Sequence, residues 1–331
     1  MRNKLILSLT ALLMTAAAPN APTYTVSGSI TGPDGSWDYA RVDAGAHKLY
    51  VARSNAITVV DLPSGTATTM GELKRGHAVV PLGGGRLLAT SGTDGTVRFF
   101  NEADGKEISS IAVGKKPDAA ILDASGKRAF VMNSDSGTVS VIDTTTMRVV
   151  RTLTAKPALE YAALVGNTLF VNDEDLNELE TIDVVTGKLG KAIALKGCEG
   201  PTGLGYDSKN ARLISSCANG KAAVVDAKTQ KLVALVDIGK GPDAVIVDEA
   251  RGLAFIPCGG DGVLDILSLA SPKAVTRVGR VTTEVGARTG ALDPTTGIVY
   301  LPTAKFGQPA QAGGRPGPVA GSFHILVVKP S

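Results

Sequence analysis

Histidine, cysteine and tryptophan are scarce in this chain: three, three and one in 331 residues. That scarcity excludes a good deal of chemistry. A Ser-His-Asp relay would have to use His47, His77 or His324. There is no Gly-x-Ser-x-Gly elbow and no His-Glu-x-x-His pair. The glycines from Gly83 to Gly85 lead into a strand and lack the Gly-Lys-Ser/Thr ending of a phosphate loop. Without a Cys-x-x-Cys-His run, covalent haem is not expected. No apolar stretch approaches the roughly 18 residues of a spanning helix, so no integral membrane span is expected. Excess charge is lacking too, and a nucleic-acid partner is not expected from a chain without a basic footprint.

The first residues read as an export leader. Arg2 and Lys4 form a positive start, Leu5 to Leu13 an apolar core, and Ala16 to Ala18 a small-residue cleavage zone. We place the cut between Ala16 and Ala21, which divides the chain into a leader over 1–21 and one domain over 22–331. A periplasmic or secreted location follows from this. Removing Arg2 and Lys4 from the 34 basic side chains leaves 32 against 31 acidic ones, close to neutrality.

Glycine is plentiful, at 39 residues, and it punctuates a repeat. Asp38 to Asp43 is followed by a turn, then Leu49 to Ala52, then Ile57 to Asp61. The same order recurs from Pro117, Pro201, Pro242 and Ala287, with degenerate copies from Gly76 and Leu159. Each unit is about 40 residues long, as in WD40-like blades, with three clear short strands and a weaker fourth. Turn residues such as Pro63-Ser-Gly65, Ala103-Asp-Gly105 and Thr186-Gly187 separate them. One four-stranded unit cannot bury both faces, but seven stacked about an axis can. The expected fold is all-β, a seven-bladed propeller of four-stranded blades. The last unit, ending at His324 to Val328, lacks a fourth strand, and Tyr24 to Ile30 is a spare one. The N-terminal strand is therefore expected to complete the last blade and close the ring.

The repeats align on a frequent Asp: Asp43, Asp123, Asp207, Asp248 and Asp293. At a strand end, each is expected to accept backbone N–H bonds in the following turn. Five residues earlier the first strand of each blade opens, with Asp38, His77, Asp118, Glu160, Thr202, Asp243 and Arg288. First strands are innermost in a propeller, so these seven polar side chains should ring one mouth of the central channel. Carboxylates this close raise one another's pKa unless a cation compensates. Such a ring could bind a cation, orient a polar ligand or supply an acid/base pair, or simply line a wet channel.

Second-strand ends should share that face. They bring the acidic loop from Asn172 to Glu178 and a long Gly- and Pro-rich loop from Ala304 to Gly321, of a length often seen in lids and mobile segments. They also bring the cysteines. Cys198 precedes one first strand and Cys217 ends the neighbouring second strand, so a Cys198–Cys217 disulfide is expected in an oxidising compartment. Cys258 holds the position of Cys217 in the next blade, as a buried thiol, a competing partner or the third member of a thiolate metal site.

Several motifs together resemble the YVTN-repeat, or YncE-like, family of exported bacterial propellers over essentially the whole mature chain. They are Trp37-Asp-Tyr39, Pro117-Asp118-Ala, Cys198-Glu-Gly-Pro-Thr-Gly203, Ser216-Cys-Ala-Asn219, Ala287-Arg-Thr289, Leu301-Pro-Thr303 and Ser322-Phe323. The signature itself is degenerate here, as Tyr50-Val-Ala-Arg53, Phe130-Val-Met-Asn133 and Phe170-Val-Asn-Asp173. The resemblance implies the fold, an exported location and no common reaction.

The functional expectation is a non-enzymatic, monomeric binding or scaffold propeller. It would hold a small molecule, a cation or a protein segment at the ring, with no certain cofactor and a divalent ion such as Ca²⁺ as the candidate. The rival is a metal-dependent lactonase-like hydrolase, with oxygen ligands from Asp118, Glu160, Asn133, Asn172 and Asp243 and His77 as general base. By analogy such enzymes are more often six-bladed. Single-stranded DNA binding would want aromatic platforms in a basic groove, and this mouth is acidic. A redox-partner role rests on fold analogy alone.

Overall fold

The computed structural model describes residues 23–308 and 317–331. The expected leader lies outside the described residues, as does the middle of the loop from Ala304 to Gly321. The described chain forms seven four-stranded antiparallel sheets. Six take their strands in chain order, beginning with Trp37–Asp43, Gly76–Gly83, Pro117–Leu122, Leu159–Val165, Pro201–Asp207 and Ile246–Asp248. The seventh joins Ala291–Leu292, Val299–Thr303 and His324–Pro330 to the N-terminal strand Tyr24–Thr31. Tyr24 pairs with Pro330 and Thr31 with His324, so both ends of the described chain share one sheet and the ring is closed. Closure matters because an open ring would leave two blade faces and their backbone edges unpaired.

Burial falls from the inside outward. Second strands are buried almost throughout, as in Leu253–Cys258, whereas fourth strands such as Lys231–Asp237 are largely exposed. The largest fully buried side chains include Tyr50, Phe130, Phe170 and Phe255. They pair across the sheet with Arg41, Ile121, Ala163 and Ile246 of their own first strands. Each is worth about 2–3 kcal/mol of transfer free energy, and together they form the wall between channel and outer strands.

The turn chemistry follows the residues. Gly65, Gly105 and Gly187 all adopt positive φ, between 69° and 78°, which a Cβ would disfavour. All five aligned aspartates accept a backbone N–H in the turn that follows: from Ala46, Lys127, Asn210, Arg251 and Thr295. Strand weakness is distributed differently from expectation. Fourth strands are regular in most blades, and only Ile193–Ala194 in blade four is reduced. First strands shrink instead in blades six and seven, to Ile246–Asp248 and Ala291–Leu292.

Candidate functional site

A repeated backbone device builds the channel mouth. Two residues before six of the seven ring positions, Arg75, Lys116, Ala158, Gly200, Gly241 and Gly286 are all left-handed, with φ between 50° and 96°. In six blades the carbonyl at this offset, from Ser36, Arg75, Lys116, Ala158, Gly200 or Gly241, accepts the N–H that follows the second strand. The ladder then breaks register around the ring residue in the first five blades, for instance between Trp37 and Ala40 and between Pro117 and Ala120. Such a bulge turns a side chain away from the pleat.

Three ring residues converge closely. Nδ1 of His77 lies 2.7 Å from Oδ2 of Asp38 and 3.8 Å from Oδ1 of Asp118. One donor atom from each of the three falls within 4.8 Å of the others. Lys116 Nζ stands 3.6 Å from the far oxygen of Asp118. Across the mouth, Arg288 Nε donates to Asp243 Oδ2 at 2.8 Å and its Nη2 approaches the Trp37 carbonyl. Arg288 therefore neutralises a carboxylate. Glu160 has no ion-pair partner within 4 Å among the described residues, and Glu174 of the acidic loop acts on it together with Asp118 and Asp243.

The electrostatics follow from burial and crowding. Burial lifts the carboxyls of Asp38, Asp118 and Asp243 above their ordinary values, against the pull of His77 on the first two and of Arg288 on the third. Glu160 is raised furthest, by burial and then by Asp118, Asp243 and Glu174. For His77, burial opposes protonation, but the Asp38 hydrogen bond and the Asp118 charge outweigh it, and its pKa stands above the usual value. The mouth holds more negative charge than its own cations balance.

The other candidates are engaged elsewhere. The Thr202 hydroxyl donates to the Pro242 carbonyl at 3.0 Å, fastening blade five to blade six. Asn172 donates to the carbonyls of Thr202 and Gly203 and accepts from Ser215, so its amide also joins two blades. Asn133 donates to Thr138 and Ser140 within its own blade, and its Oδ1 is buried without a partner. His77 leaves no free exposed nitrogen: Nδ1 meets Asp38, and Nε2 is buried without a partner, packed beside Gly92. Cys198 and Cys217 are disulfide-bonded, with Cα atoms 5.3 Å apart. Cys258 is a buried free thiol, pushed up to about 12 by burial and then by Asp265; with Cys198 and Cys217 bonded to each other, no thiol is left to pair with it or to share a thiolate site.

Lys116 joins the site without having been named, and Glu174 reaches it from the acidic loop expected on this face. Both sit beside aligned positions: Lys116 two before a ring residue, Glu174 just beyond a second strand. That offset was the signal available in the sequence. The ends of the long loop are tied down, with Val319 N–H donating to the Lys305 carbonyl and Phe306 bridging to Pro318.

No family model and no curated protein matches the chain. Solved structures do. A chain of a mitotic checkpoint complex superposes with a TM-score of 0.76 at 14% identity, covering 99% of this chain and 98% of that one. A chain of Kuenenia stuttgartiensis hydrazine synthase superposes at 0.68 with 18% identity, covering 88% and 96%. At such identities the likeness is one of fold: this is a seven-bladed β-propeller. No helix among the described residues is long and apolar enough to cross a membrane.

Proposed function

We propose that this chain is an exported, non-enzymatic binding propeller of the YncE-like kind, holding a divalent cation at the acidic mouth of its channel. The carrying observation is the Asp38–His77–Asp118 cluster, set in a ring whose four carboxylates are all raised by burial. Besides burial, each is raised by a neighbouring carboxylate, and that crowding is what an added cation would relieve. Two carboxylates and an imidazole form a mixed oxygen and nitrogen set, which suits Zn²⁺ or Mn²⁺ better than the all-oxygen shell of Ca²⁺. Asp38, His77 and Asp118 would be the ligands, with Glu160 and Glu174 adding negative potential. Asn133 and Asn172, whose amides are engaged elsewhere, are left out of this set.

A hydrolase is the weaker reading: with Nδ1 given to the cation and Nε2 buried without a partner, His77 has no nitrogen left to act as general base. The export leader and the family resemblance support a periplasmic or secreted setting, and the Cys198–Cys217 bond is consistent with it.

Calorimetric titration with Zn²⁺ tests the proposal. Wild type should bind saturably, Asp118→Asn and His77→Gln should bind at least about tenfold more weakly, and Glu160→Gln should show a smaller loss. Equal binding in wild type and Asp118→Asn removes the ring from the function.

A further inference from the structure

Further along the first strands from the acidic mouth, the channel wall carries a single cation. Three residues beyond each ring position, the first strands present Arg41, Val80, Ile121, Ala163, Gly205, Ile246 and Ala291. These are equivalent by register, since each pairs with the same place in its second strand: Arg41 with Tyr50, Ile121 with Phe130, Ala291 with Tyr300. Six of the seven are apolar or glycine. Six of them, including Arg41, line a cavity of about 470 Å³, together with Tyr39, Tyr161 and Tyr206. A second recess, lined by Val80, adjoins it and shares Arg41.

Arg41 is the one charged side chain lining the cavity, and no carboxylate lies within 4 Å of its guanidinium among the described residues. Its Nη2 donates to the Tyr161 hydroxyl, and its guanidinium carbon lies 5.6 Å from the centre of the Tyr161 ring. Tyr161 packs edge-on against Tyr39, with ring centres 5.0 Å apart. Asp43 lines the adjoining recess, but its Oδ1 accepts the Ala46 N–H at 3.0 Å and it makes no ion pair with Arg41. The aromatic contacts hold the guanidinium in place without neutralising it. A cation held half-buried in an apolar cavity without a counter-charge is costly unless something else provides one. Burial also lowers the pKa of Arg41, and Tyr39 is the one ionisable neighbour acting against it.

We infer that this cavity binds a small organic carboxylate with an apolar body, its carboxylate paired with Arg41. A planar guanidinium matches a carboxylate in two parallel hydrogen bonds. Ile121, Leu204, Val245 and the tyrosine rings offer the apolar body a wall. The volume suits a compact aromatic or branched acid rather than a polymer. Tyr39 stands between the two sites: it lines this cavity and lies within the field of Asp38, Asp118, Glu160 and Asp243. The inference does not rest on the cation reading, since it uses none of the ring residues.

Octanoate and 3-phenylpropionate are the probes, titrated calorimetrically into the full mature chain, with 1-octanol as the neutral control. Wild type should bind both acids, and Arg41→Gln should bind them at least about tenfold more weakly while binding octanol as wild type does. Tyr161→Phe keeps the cation and the apolar wall, and should retain acid binding within about threefold. Circular dichroism melts check that each variant is folded. Equal acid affinity in wild type and Arg41→Gln, no binding of either acid at millimolar concentration, or a loss in Tyr161→Phe as large as in Arg41→Gln would each overturn the inference.

Discussion

Breaking the Cys198–Cys217 bond is the sharpest perturbation of stability in this chain. The two half-cystines are 19 residues apart in sequence and join the approach to one first strand to the end of its own second strand. In the chain-entropy view, a closed loop of about 19 residues removes about 11 cal/mol/K from the unfolded ensemble, or about 3 kcal/mol at 25 °C. A propeller of about 300 residues unfolds with an entropy of about 0.6 kcal/mol/K, so that loss should lower Tm by about 5 °C. The perturbation is Cys198→Ala with Cys217→Ala, which adds no buried hydroxyl. The assay is calorimetric melting of wild type, reduced wild type and the double variant. Wild type should melt about 5 °C above the other two, which should agree with each other. Cys258 cannot take over, because it is buried in the next blade beside Asp265. A double variant melting within about 1 °C of oxidised wild type would refute the reasoning, since the bond would then constrain nothing that unfolds.

Two further predictions concern charges inside the wall. Glu180 is fully buried in blade four and accepts the Lys156 N–H, and burial pushes its carboxyl up to about 7 from 4.5. The folded state therefore holds this proton longer than the unfolded chain does. Its contribution is complete below pH 4.5 and is lost as pH rises to about 7, at up to about 1.4 kcal/mol per pH unit. Glu180→Gln should flatten the decline of stability across that window in urea titrations, and parallel curves would count against it. Arg53, 2% exposed, donates to the carbonyls of Gly35 and Ser36 and to Thr58, and its guanidinium lies 3.8 Å from the ring centre of Phe323 in the closing segment. Arg53→Met should cost about 2 kcal/mol by removing the charged donor to the Gly35 carbonyl and Thr58, while the Ser36 carbonyl keeps its Ser54 N–H, and Arg53→Lys should not restore it. An unchanged urea midpoint in Arg53→Met would show that this seam is not held by the guanidinium.

The architecture was legible because each blade repeats the same local instructions. Asp43, Asp123 and Asp207 mark strand ends through bonds that an aspartate makes in any turn, and the spare strand from Tyr24 had one sheet in need of it. The disulfide was legible for the same reason: pairing Pro201 with Cys217 leaves Cys198 close by. The ring was legible as a set of positions but not as a set of partners. Alignment places Thr202 between Glu160 and Asp243, yet a hydroxyl can turn to the nearest carbonyl, and Thr202 turned to Pro242. The same holds for Asn172, whose amide bridges two blades instead of facing the mouth. The shortened first strands of blades six and seven were also hidden, because a strand's extent depends on neighbours that alternation of residues does not name. The cavity at Arg41 could not be seen at all, since an Arg in a strand reads as an exposed side chain until its register is counted around all seven blades.

The central claim is that the acidic mouth is a cation site. Anomalous diffraction from crystals of the mature protein grown with Zn²⁺ would test it most directly. A strong peak between Oδ2 of Asp38, Nδ1 of His77 and Oδ1 of Asp118, absent in Asp118→Asn crystals, is the predicted result. Zinc found only at surface positions, with the His77–Asp38 hydrogen bond undisturbed, would contradict it.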